Sequence, residues 1–239
     1  MMAPMAETFV LVHGAWHGGW AWRPVAQQLR AAGHRVLTPN LPGLVDGADP
    51  TRHRLSDVVD SVAEVVERAD LREVTLVGHS WGGYVITGAT HRLGARVKKA
   101  VYWSAFAPAG GVPLIDEVPP AYQELFHGLA AASGDDTITM PFEIWQEAFM
   151  QDAPEPVQRI VYELLVPQPL RYFTEPVAPL RADVARSYVL SVDDIALPPG
   201  EYGWVRFAER LGVEPIEAPG SHEACFTEPA GLAEALLKA

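Results

Sequence analysis

From Thr8 to His13 the chain reads TFVLVH, a short run of β-branched and aromatic residues without polar alternation. A strand covered on both faces, as in a parallel sheet, has this pattern. The next stretch, RPVAQQLRAAGH, repeats Val25, Leu29 and Ala32 at helical spacing and stops at Gly33. RVLTPN at 35–40 predicts a second strand. Then Leu55, Val58, Val59, Val62, Val65, Val66 and Ala69 form one apolar stripe, with Asp57, Asp60, Glu64 and Glu67 opposite. That segment predicts a helix lying on a sheet face.

EVTLVGH at 73–79 predicts a third strand running into Ser80, and WGGYVITGATHRL after it predicts a helix despite Gly82 and Gly83. Each glycine costs about 1 kcal/mol relative to alanine inside a helix, so the pair implies a close approach that only a small residue allows. VKKAVYWSA at 97–105 predicts a fourth strand, SYVLSVDD at 187–194 a fifth and VEPIEAP at 213–219 a sixth. YGWVRFAERLG and PAGLAEALLKA predict the remaining helices. Residues 108–182 break the alternation: they are rich in proline and in short amphipathic pieces, with no convincing strand. The pattern predicts an α/β fold with a doubly wound, six-stranded, mainly parallel sheet. Residues 1–107 and 183–239 form its core, and 108–182 form an inserted helical cap.

Composition narrows the partners. The 239 residues carry 18 basic and 30 acidic side chains, for a formal net charge of -12, and 49% are hydrophobic. An ordinary globular domain follows, and the acidic balance disfavours nucleic acid and anionic membrane surfaces. Small or uncharged molecules are the expected partners, with the protein a monomer or homodimer. The single cysteine, Cys225, rules out an intramolecular disulfide. It stands three residues after His222, but a lone cysteine in apolar surroundings is ordinarily a core residue. The segment MMAPMAETFVLVHG shows no basic leader, and no run reaches the roughly 18 apolar residues of a membrane helix. A cytoplasmic location is expected.

Functional groups of open α/β sheets gather at the carboxyl ends of the strands. Four such ends carry suggestive residues here: His13-Gly14-Ala15, Ser80, Asp193-Asp194 and His222. Ser80 lies within Gly78-His79-Ser80-Trp81-Gly82, a Gly-x-Ser-x-Gly pattern in the strand-turn-helix context that exposes a nucleophilic serine. The chain order Ser, Asp, His fits an acyl-transfer set in which Ser80 attacks, His222 moves the proton and an aspartate orients the imidazole. His13 and His17 are four apart, yet no helix presents them on one face and no carboxylate cluster joins them, so no metal is expected. No phosphate-binding Gly-x-Gly-x-x-Gly loop is present, and no cofactor is expected.

The stretches FVLVHGAWHGGWAW, LVGHSWGG, YVLSVDDIALP and GSHEACFTEP resemble the α/β-hydrolase superfamily, in the branch of plant-type methyl esterases and hydroxynitrile lyases. The resemblance extends over nearly the whole chain, and only loosely over 108–182. It implies a carboxylic ester or lactone hydrolase working through an acyl-enzyme. By its spacing the acid is Asp194, with Asp193 the alternative, and the oxyanion donors are the backbone amides of Ala15 and Trp81. Lyases of the branch carry threonine and lysine where this chain has Gly14 and Glu223. Glycine is the esterase choice; Glu223 departs from both groups, as a cap-facing contact for a polar substrate group or a solvated residue. His13 is expected to support its loop, and His79 to point away from the cleft.

Aromatic residues near the strand ends and on the cap point to an apolar or aromatic substrate. Gly14, Trp16, Trp103, Trp145, Phe149 and Glu223 are the candidate substrate contacts. Two other functions remain open on the same scaffold: a cofactor-free lyase, cyclase or other tailoring enzyme of secondary metabolism, and a small-molecule receptor with vestigial hydrolysis.

Overall fold

A computed structural model describes residues 6–239, so the leader-free reading of residues 1–5 lies outside the described residues. The chain opens with β1 (Thr8–Val12), α1 (Arg23–Ala31), β2 (Arg35–Leu37) and α2 (Leu55–Arg68). It continues through β3 (Val74–Ser80), α3 (Gly82–Leu93) and β4 (Val97–Ala105). An insertion follows, with α4 (Pro120–Ser133), β5 (Thr137–Ile138), α5 (Phe142–Ala148), α6 (Glu155–Tyr162), β6 (Gln168–Pro169) and α7 (Arg171–Thr174). The core resumes with β7 (Ala185–Ser191), α8 (Val205–Leu211), β8 (Ile216–Ala218), α9 (Ala224–Thr227) and α10 (Pro229–Lys238).

Six strands form one sheet in the order β2-β1-β3-β4-β7-β8, and every neighbouring pair is parallel. The winding goes outward from β1 to β2, then reverses through β3 to β8. The crevice at the carboxyl ends of β1 and β3 is therefore the topological switch point, where ligands bind in open α/β sheets. Proline sets the short strand limits: Pro39 follows β2, and Pro215 and Pro219 bracket β8, because proline cannot donate to the ladder. The predicted fifth strand also ends early. Asp193 and Asp194 leave the sheet for a turn, which moves an acidic side chain from a strand face into the crevice.

The two-residue period of the strands builds two cores. Val10, Val12, Leu76 and Tyr102 face the layer of α2 and α3, whereas Phe9, Leu11, Val77, Val101 and Trp103 face α1 and α10. In α2, Leu55, Val58, Val62, Ala63 and Val66 are buried, and each larger side chain contributes about 1.5–3 kcal/mol by leaving water.

The insertion is not purely helical. Instead of helices alone it contains the antiparallel pair β5–β6, with Thr137 opposite Pro169 and Ile138 opposite Gln168. Two-residue strands carry no readable alternation. At its near end the insertion is tied to α8 by the buried Glu117 carboxylate, which accepts from Arg210 at 2.6 and 3.1 Å and pairs with Arg206 at 3.3 Å. Among the described residues, no helix is long and apolar enough to cross a membrane.

Candidate active site

Ser80 ends β3 with φ at +52°, a left-handed conformation that is strained for a residue with a side chain. The pairing register with β4 shifts between His79 and Ser80, and the Ser80 carbonyl accepts from the Phe106 amide at 3.1 Å. The turn is this sharp because its neighbours lack side chains. A Cβ on Gly78 would stand 2.7 Å from the Gly82 carbonyl oxygen, and one on Gly83 would stand 2.1 Å from that of Phe106. The glycines after Ser80 thus let the start of α3 close against β3 and β4.

His222 follows β8 and is buried. Its Nδ1 lies 2.7 Å from Asp194 Oδ2, and the Asp194 side chain is wholly inaccessible. The second oxygen of Asp194 accepts from the Ala196 amide at 2.9 Å. Asp193 is exposed and contributes only its backbone, which accepts from Gln151 at 2.6 Å. A carboxylate on Nδ1 keeps the proton there and leaves the Nε2 lone pair free to act as a base. Trp204 stacks on the His222 ring at 5.2 Å and 17°, and Phe149 meets it edge-on at 5.2 Å.

Ser80 and His222 share one narrow, closely walled cavity. Ala15, Trp16 and Trp81 border it from the core; Leu114, Val118, Tyr122, Phe126, Phe149 and Phe173 border it from the insertion. Apart from Ser80, His222 and the Tyr122 hydroxyl, its walls are hydrocarbon and aromatic.

Trp16 is fixed by the insertion on three sides. Its amide donates to Gln168 Oε1 at 3.1 Å, its indole to the Ile138 carbonyl at 2.8 Å, and its carbonyl accepts from the Val166 amide at 2.8 Å. The His222 loop is held similarly. Asp152 Oδ2 accepts from the Ser221 amide at 3.1 Å, and the Phe149 carbonyl accepts from the Glu223 amide at 3.1 Å.

Two expected contacts, Trp103 and Trp145, lie elsewhere. Trp103 does not reach the cavity: the strand period turns it to the α1–α10 face, where it stacks on His79 at 4.0 Å and donates to Ser191 Oγ at 2.9 Å. Trp145 is buried under Tyr162, one turn before Phe149, which does border the void. Glu223 is not solvated; it is 1% exposed, with Oε2 3.3 Å from His17 Nε2, and it lines a small cavity together with Phe149 of the insertion. His79 does not point away, since its ring lies 4.5 Å from that of His222. Gly14 stands against both, for a Cβ there would be 3.0 Å from His79 Nδ1 and 3.3 Å from Ser80 Cβ.

The imidazoles around the site are tuned in opposite directions. Burial pushes His13 down to about 3 and His79 well below the ordinary histidine value. Burial also disfavours the charged form of His17, but the charge and hydrogen bonding of Glu223 outweigh it and raise that imidazole. His17 Nδ1 stands 2.7 Å from the Ala15 carbonyl, so both of its nitrogens face acceptors, as an imidazolium requires. Burial drives the Cys225 thiol well above its usual range, which makes it a poor nucleophile.

Reasoning from sequence missed Phe106, Leu114, Val118, Tyr122, Phe126, Phe173 and Trp204. The insertion residues have no motif to mark them. Trp204 had one signal, its place soon after the strand carrying the aspartates.

Residues 9–235 match the alpha/beta hydrolase family. A carbendazim hydrolyzing esterase from Nocardioides sp. (strain SG-4G) is 34% identical over 238 residues, covering 95% of this chain and 97% of its own. Salicylic acid-binding protein 2 of Nicotiana tabacum is 30% identical over 256 residues, covering 96% and 95%. Among solved structures, an extracellular alpha/beta-hydrolase from a Paenibacillus species, described as sharing structural and functional homology with the tobacco salicylic acid-binding protein, is 32% identical. It superposes with a TM-score of 0.93 over 98% of each chain.

Proposed function

The chain belongs to the alpha/beta hydrolase family, and from that premise we propose that it hydrolyses carboxylic esters of small apolar or aromatic molecules through an acyl intermediate on Ser80. The observation that carries this reading is the strained serine at φ +52° sharing an apolar cavity with His222, whose ring is paired with the buried Asp194 carboxylate. Esterase relatives spanning nearly the whole chain support it.

In this mechanism Ser80 Oγ attacks the ester carbon while His222 Nε2 takes its proton. The amides of Ala15 and Trp81 donate to the oxygen that becomes negative. Collapse expels the alcohol, which leaves with the proton from His222. Water then attacks the acyl carbon by the same route in reverse and frees the acid. Asp194 stabilises the charged imidazole during both halves. The apolar walls contributed by Leu114, Val118, Phe126 and Phe173 select a hydrocarbon or aromatic group, and offer no counter-charge to an anionic one.

The test is the intact mass after exposure to a serine-directed phosphonate, followed by peptide mapping, with Ser80→Ala in parallel. One adduct on Ser80, absent from the variant, is expected, together with saturable turnover of p-nitrophenyl esters. A folded protein that takes no adduct and turns over no ester overturns the proposal and leaves ligand binding, the property that names the tobacco relative.

A further inference from the structure

A second, smaller cavity adjoins the first across Ser80 and His222, and its remaining walls include Gly14, His17, His79 and Glu223. Its walls stand so close that it offers space for one water molecule at most. Three of the wall residues present nearly inaccessible polar atoms without a hydrogen-bond partner among the described residues: Glu223 Oε1, His79 Nε2 and His17 Nε2, the last at ion-pair distance, 3.3 Å, from Glu223 Oε2. Leaving a buried polar atom unsatisfied costs about 1–3 kcal/mol, so the arrangement calls for a polar occupant.

We propose that this cavity is the site of the hydrolytic water, and that Glu223 is the residue that positions it. The proposal rests on the acyl-enzyme reading above. The acyl group fills the main cavity, whose walls beyond Ser80, His222 and Tyr122 give a water nothing to bond. The small cavity offers polar partners of the kind a buried water needs in Glu223 Oε1 and His79 Nε2, with His222 also on its wall. Gly14 keeps the space open, since a Cβ there would crowd both His79 and Ser80. His17 occupies the other carboxylate oxygen at 3.3 Å, which fixes the rotamer and leaves Oε1 for the water.

In the deacylation step the water oxygen bonds to the acyl carbon and one of its protons passes to His222 Nε2. Glu223 Oε1 accepts a hydrogen bond from the other hydrogen without removing it. Collapse breaks the bond between the acyl carbon and Ser80 Oγ, and the proton on His222 moves to Oγ. The carboxylic acid keeps the remaining water hydrogen. Nothing is oxidised or reduced.

The experiment compares the native protein with Glu223→Leu and Glu223→Gln on p-nitrophenyl acetate, by rapid-mixing kinetics and intact mass. Glu223→Leu is expected to acylate normally and deacylate slowly. Nitrophenolate then appears in a burst of about one per site, acetyl accumulates on Ser80, and kcat falls by about tenfold or more with kcat/KM within about threefold of native. Glu223→Gln, which keeps an acceptor oxygen in place, is expected to fall between the two. The rate of phosphonate labelling at Ser80 reports whether the variants keep their fold and nucleophile; should Glu223→Leu fail to label, Glu223→Gln alone decides by whether acetyl accumulates. A kcat equal to native, or kcat and kcat/KM falling together with no acetyl on Ser80, overturns the water site while leaving the esterase reading intact. A native protein that never acylates overturns both.

Discussion

Asp194→Asn removes one charge and one acceptor while leaving the shape of the site nearly unchanged. The native carboxylate serves two donors, the His222 imidazole at 2.7 Å through Oδ2 and the Ala196 amide at 2.9 Å through Oδ1. An asparagine has only one oxygen for both. If that oxygen stays on Ala196, the amide NH2 faces Nδ1, and the imidazole must carry its proton on Nε2. That tautomer cannot accept a proton from Ser80. If the amide flips, the Ala196 N–H meets another N–H in a site without access to solvent, at a cost of about 1–3 kcal/mol. Either outcome also removes the counter-charge that a buried imidazolium needs in the transition state. A loss of roughly 10³–10⁴ in kcat follows, about 4–5.5 kcal/mol on the barrier. KM should change little, because Asp194 does not border the cavity. Initial rates on a p-nitrophenyl ester, with thermal unfolding as a control, measure both. A loss under about tenfold in a folded variant would show that His222 does not depend on Asp194, and would refute the proton route.

Three further outcomes follow from the same geometry. Ser80→Gly and Ser80→Ala should both lack activity, but the glycine variant should be about 1 kcal/mol more stable, because only alanine retains a side chain at φ +52°; equal denaturant midpoints would contradict the strain. Gly83→Ala should lose about 3 kcal/mol or more, since its Cβ would fall 2.1 Å from the Phe106 carbonyl oxygen and the backbone cannot yield; a native-like midpoint would show that the elbow is looser than described. Stability should fall on acidification. His13 and His79 have lowered values in the folded chain and titrate near ~6.5 when unfolded, so the unfolded state binds more protons in that window; their contribution is whole above ~6.5 and is lost as pH falls. His17, whose value is raised, acts in the opposite sense, contributing below ~6.5 and losing its effect as pH rises through its folded value. Melting temperatures should therefore drop from about pH 7 to about pH 5, less steeply in His79→Asn, and an unchanged slope in that variant would refute the neutral burial of His79.

The sheet was legible in the sequence because buried parallel strands are nearly unbroken apolar runs, and 97–105 coincides with β4 at both ends. The insertion was not, because β5 and β6 are too short to show a period. Trp103 illustrates a different limit. Its nearness to a strand end was visible, but the face it takes depends on the register of the whole strand, and Tyr102 and Trp103 necessarily face opposite layers. For Glu223 the missing information was its partner. A carboxylate beside a histidine reads as a surface residue until His17, more than two hundred residues away in the chain, is brought to 3.3 Å. The cavity walls from Leu114 to Phe173 follow no motif, since contact with a substrate asks only for apolar bulk at a position set by tertiary packing.

The hydrogen bonds that Gln151 donates to the strand-end loops, and that Asp152, Phe149 and Gln168 accept from them, also bear on how this protein could diverge. An insertion that only covered the crevice could be exchanged wholesale with that of a relative. Here such a graft would remove the acceptors that hold the Trp16 and Ser221 amides, and so disturb the loops beside Ser80 and His222. New specificity is accessible instead through single replacements at Leu114, Val118, Phe126 and Phe173, whose side chains meet the void. Altered substrate range in descendants of this chain should accordingly accumulate as scattered point changes along the insertion, with its anchoring residues left in place.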